Sequence, residues 1–62
     1  MKEKKLKKDI YEFAIKEEVK GSGYLATLGV IYTMIGASAP EMSIRKAQKI
    51  AEEAVDKAFF GK

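Results

Sequence analysis

Few residues in this chain could carry out a reaction. It has 62 residues and contains neither His nor Cys. Nucleophilic and acid–base catalysis need an activated group beside a partner that tunes it. Ser22, Ser38 and Ser43 each stand where a helix is expected to start, and a hydroxyl there serves as a cap for backbone N–H groups. The carboxylates fall into two clusters, Glu17-Glu18 and Glu52-Glu53-Asp56. Glu52 and Asp56 share a helix face, but they lie among Lys and Arg, as on a solvated surface. A zinc site draws on Cys and His, and a di-iron bundle needs a Glu-x-x-His on each of two helices. Gly21-Ser22-Gly23 is too short for a phosphate loop, and no Gly-Lys-Ser/Thr follows it. The sequence therefore predicts a protein that is not an enzyme, with no catalytic residue, cofactor or metal.

The lysines offer binding chemistry instead. The opening segment MKEKKLKKDI places Lys2, Lys4, Lys5, Lys7 and Lys8 within its first eight residues. Such a cluster can meet phosphates or anionic lipid. Lys4, Lys5, Lys7 and Lys8, with Arg45, Lys46 and Lys49 farther on, are the candidate nucleic-acid contacts. Against them stand a net charge of only +3 and a single Arg, since Arg is the usual reader of guanine. Cations at a helix start also oppose its dipole. The plainer reading is a solvated helix end.

Three segments must position these groups. Residues 1–20 carry seven Lys and five acids, residues 21–40 carry no charge, and residues 41–62 carry five basic and four acidic residues. Gly21-Ser22-Gly23 and Ser38-Ala39-Pro40 mark the breaks. The first segment predicts a helix over about 4–20, with Leu6, Ile10, Phe13 and Ala14 in one apolar stripe and Tyr11, Ile15 and Val19 beside it. The third predicts a helix over about 41–59, starting after a cap at Ser38 or Ser43. Its apolar half contains Ile44, Ala47, Ile50, Ala51, Ala54, Val55, Ala58 and Phe59.

The middle segment could cross a membrane, form strands or fill a bundle. Tyr24 to Ala37 spans about 21 Å as a helix, short of the roughly 30 Å hydrocarbon core, which argues against a membrane partner. Val30 to Thr33 have β-propensity, yet the amphipathic flanks favour a buried helix over about 23–37. That helix has two faces. Ala26, Gly29, Thr33, Gly36 and Ala37 form a slim arc, whose spacing suits the alanines of the third helix (47, 51, 54 and 58) in a close-packed antiparallel hairpin. The large side chains lie on the other side. Tyr24, Leu28, Val30, Ile31, Tyr32, Met34 and Ile35 are then the candidate interface residues.

A chain this small has a marginal core and no disulfide to help. The expectation is one all-α, three-helix domain over 1–62 that forms a helical-bundle homo-oligomer, a dimer being favoured. Its function is read as that of a small regulatory or accessory protein binding an unidentified protein partner. A nucleic-acid-binding regulator is the alternative, and a small membrane-associated protein the third reading. The Lys-rich start contains no apolar run with a cleavage site, and the lack of Cys suits a reducing compartment. Both point to the cytoplasm.

Overall fold

The computed structural model describes residues 2–61, with side chains from Glu3 onward; Met1, Lys62 and the Lys2 side chain lie outside it. Three helices pack on one core: α1 (Lys2–Lys20), α2 (Tyr24–Ser38) and α3 (Ile44–Phe60). Among the described residues there is no strand, so Val30 to Thr33 are helical despite their β-propensity. Nor is any helix among the described residues long and apolar enough to cross a membrane.

The helix ends follow from local chemistry. Gly21 has φ +94°, a left-handed conformation that costs a residue with a Cβ. Its N–H bonds the Glu18 carbonyl and the Ser22 N–H bonds the Glu17 carbonyl, the paired closure of a Schellman motif. Gly23 precedes α2 with no side-chain cap. Its carbonyl instead accepts from both the N–H and the hydroxyl of Thr27, at 3.0 and 2.9 Å. Ser43 caps α3, its hydroxyl accepting from the Lys46 N–H at 3.2 Å.

Of the three serines read as caps, only Ser43 serves as one. Ser22 donates to Glu17 at 2.8 Å, and Ser38 is the last residue of α2. Helix α3 accordingly begins after Ser43, with Pro40 in the preceding turn.

The core gathers Leu6, Ile10 and Ala14 from α1, Leu28, Ile31 and Ile35 from α2, and Ile50, Ala51, Ala54, Val55 and Ala58 from α3. Helix α3 meets both others, α1 most extensively. The start of α2 meets the end of α3, where Tyr24 contacts Asp56 and Phe59.

The slim arc of α2 does not pack as the sequence suggests. Ala26, Gly29, Thr33, Gly36 and Ala37 are all exposed. A Cβ added at Gly29 or Gly36 would meet nothing within 4 Å. The physical reason is the larger gain from turning the other face inward. Burying one Leu or Ile side chain is worth about 1.5–3 kcal/mol, far more than burying a Gly or Ala. The large side chains Leu28, Ile31 and Ile35 of α2 therefore join the core that also takes in Ala51, Ala54 and Ala58 of α3.

Candidate interaction surfaces

The same choice of face fixes what α2 shows to solvent. Its outer side consists of Leu25, Ala26, Gly29, Val30, Thr33, Gly36 and Ala37, all exposed and all uncharged. Leu25 is 78% exposed and Val30 47%. The Thr33 hydroxyl is turned back to the Gly29 carbonyl at 3.3 Å, so the face offers little hydrogen-bonding capacity.

The seven residues read as an interface are divided by the structure. Leu28, Ile31 and Ile35 are buried in the chain's own core. Tyr24, Tyr32 and Met34 are half-buried against it. Val30 alone is exposed. Leu25, Ala26, Gly29, Thr33 and Gly36 form surface that the sequence did not point to. Since α2 is uncharged on every side, nothing in its own pattern says which side faces water.

At the end of the bundle where α2 starts, Tyr24 stacks on Phe60 with centroids 5.7 Å apart and meets Phe59 edge-on at 5.9 Å. Phe60 remains 74% exposed. The Tyr24 hydroxyl donates to the Asp56 carboxylate. That bond, reinforced by desolvation and by the charges of Asp56 and Glu52, pushes the phenol up from 10.0 to about 12.

The opposite end is basic. Lys46 reaches Glu3 at 2.7 Å, so the starts of α1 and α3 lie together. Lys7 approaches the same carboxylate at 3.4 Å. Hydrogen bonding from Lys46, joined by its charge and by Lys7, holds Glu3 below the usual carboxylate range in spite of desolvation. All seven candidate nucleic-acid contacts, Lys4, Lys5, Lys7, Lys8, Arg45, Lys46 and Lys49, are exposed, and the Glu3 ion pairs bring Lys7 and Lys46 together. Farther along, Lys7 and Lys8 of α1 line one groove with Glu53 and Lys57 of α3, so both signs of charge meet between the two helices. Lys57 lies 5.5 Å from the Tyr11 ring centroid, a cation–π contact across α1 and α3.

Among the described residues, no three metal-ligating side chains gather in one place. Set against known protein families, curated proteins and solved structures, the chain matches none.

Proposed function

We propose that this chain is a small non-enzymatic interaction protein of regulatory or accessory type, and that it acts as a homo-oligomer. The observation that carries this reading is the outer side of α2, a fully uncharged helix face in contact with water. Contiguous exposed apolar surface on a small protein marks an interaction site. Size supports the same reading. A single core of about 60 residues is marginal, and partners are a common source of extra burial. Sedimentation equilibrium from micromolar to millimolar concentration tests it. The expected result is a mass rising above 6.9 kDa with concentration. A monomer throughout that range overturns it.

A second reading, binding of nucleic acid, is favoured by the meeting of the basic starts of α1 and α3 at one end. Four phosphate contacts there predict that log affinity falls with log salt at a slope of roughly −3.6. Between 50 and 200 mM salt, affinity for random duplex DNA then drops by about two orders of magnitude. No salt-dependent binding at 50 mM removes this reading.

A further inference from the structure

We infer that the groove between α1 and α3 binds single-stranded nucleic acid, with its lysines on the phosphates and a base on the Tyr11 ring. This rests on the nucleic-acid reading above and adds the site and the strand form.

The groove lies between the two helices that meet most extensively. Where both helices start, Lys7 and Lys46 converge on Glu3. Farther along, Lys7, Lys8 and Tyr11 of α1 face Glu53 and Lys57 of α3 across a cavity of about 250 Å³. Three ammonium groups thus share one groove with a single carboxylate and an aromatic ring. Tyr11 is half-buried and packs against the core, so its ring is held in place. The Lys57 ammonium lies over that ring, 5.5 Å from its centroid.

Cations and an aromatic face in one groove are the two parts of a single-strand site. Charge follows the backbone, and the ring stacks a base of any sequence. The cavity is smaller than the roughly 300 Å³ at which small-molecule pockets begin, and it suits a flexible chain laid through it. A duplex fits less well. Its bases are stacked inside, out of reach of Tyr11, and their edges are read by Arg, Asn or Gln. This chain has one Arg, one Gln and no Asn. A lipid surface supplies phosphates but nothing planar to stack.

Lys57 links the two parts. In the free chain its ammonium covers the ring. A phosphate attracts it more strongly, charge against charge, than the ring quadrupole does. The ammonium then moves to the backbone and a base takes its place on Tyr11. Glu53 is the one lining group that repels the phosphates.

The test titrates the full chain with a labelled oligothymidylate of about 12 nucleotides, within the ~4–16 of a single-strand site. The duplex of the same length and inorganic polyphosphate are run beside it at about 50 mM salt. The single strand is expected to bind more tightly than either. Three phosphate contacts give a slope of log affinity against log salt near −2.1, and Lys57→Gln should reduce it by about 0.7. Tyr11→Leu should lower affinity at least about fivefold, while Tyr11→Phe keeps it. Glu53→Gln should raise affinity, a gain that loss of structure does not produce. Glu53 is exposed, so that variant reports even where Tyr11→Leu disturbs the fold. A duplex or polyphosphate bound as tightly as the single strand overturns the inference. So does a folded Tyr11→Leu chain, or a Glu53→Gln chain, that binds the strand as the parent does. The nucleic-acid reading survives those results and falls only if neither form of DNA shows salt-dependent binding.

Discussion

Tyr24 joins two elements through one side chain. Its ring stacks on Phe60 and its hydroxyl donates to Asp56. The folded chain therefore favours the neutral phenol, whose proton leaves near pH 12 instead of near the 10.0 of a free tyrosine. The sign follows directly. The stabilisation is complete below about pH 10 and is lost as pH rises through about 12. Water reaches the pair, so the bond is worth about 1 kcal/mol or less. Tyr24→Phe keeps the ring contacts and is expected to lose about that much at neutral pH. Ultraviolet titration of the three tyrosines should show one late step near pH 12, absent from the variant. A parent chain with no late step would mean that the bond does not form in solution. At this scale the sequence was partly readable. Gly21 marked the break after α1, whereas Ser22, Ser38 and Ser43 all read as caps and only Ser43 is one. Nothing in the spacing of Tyr24 and Asp56, 32 residues apart, revealed their bond.

At the scale of the element, legibility depends on pattern contrast. Helix α3 sets charged residues against apolar ones, so its sequence alone identifies its buried face, and Ala51, Ala54 and Ala58 are buried as expected. Helix α1 reads nearly as well through Leu6, Ile10 and Ala14, although Ile15 and Val19, assigned to a flanking stripe, are exposed. Helix α2 has no such contrast. Spacing matches its small face to the alanines of α3, yet the deciding comparison is between the areas that its two faces can bury. That difference is measurable with two substitutions. Ala51 is fully buried, and Ala51→Leu should cost about 1–3 kcal/mol through overpacking. Gly29→Ala, on the exposed arc, should stabilise the dilute monomer by up to about 1 kcal/mol through helix propensity. Denaturant midpoints at low protein concentration check both. If Gly29→Ala destabilises the dilute chain, the slim arc faces inward after all.

At the scale of the whole molecule, fold stability and association are one problem. Among the described residues the buried core consists of six Leu or Ile side chains, one Val and four Ala, so over a third of its members contribute only a methyl group. Such a core stands close to the threshold set by conformational entropy. The proposed second copy would bind the folded chain and not the unfolded one, and so would stabilise it by mass action. For a dimer in which folding and association are linked, a tenfold increase in concentration adds about 1.4 kcal/mol per dimer, or about 0.7 kcal/mol per chain. A domain of this size shifts its midpoint by about 4–8 °C per kcal/mol. The thermal midpoint should therefore rise by roughly 3–6 °C per decade of concentration once the dimer is populated. The Gly29→Leu chain should melt at one temperature throughout, because its monomer is intact and its partner is kept away. Added salt should leave most of the parent's concentration dependence in place, because the outer face of α2 carries no charge. A parent midpoint that does not move with concentration would show that the monomer is sufficient and that the outer face of α2 is not covered by a second copy.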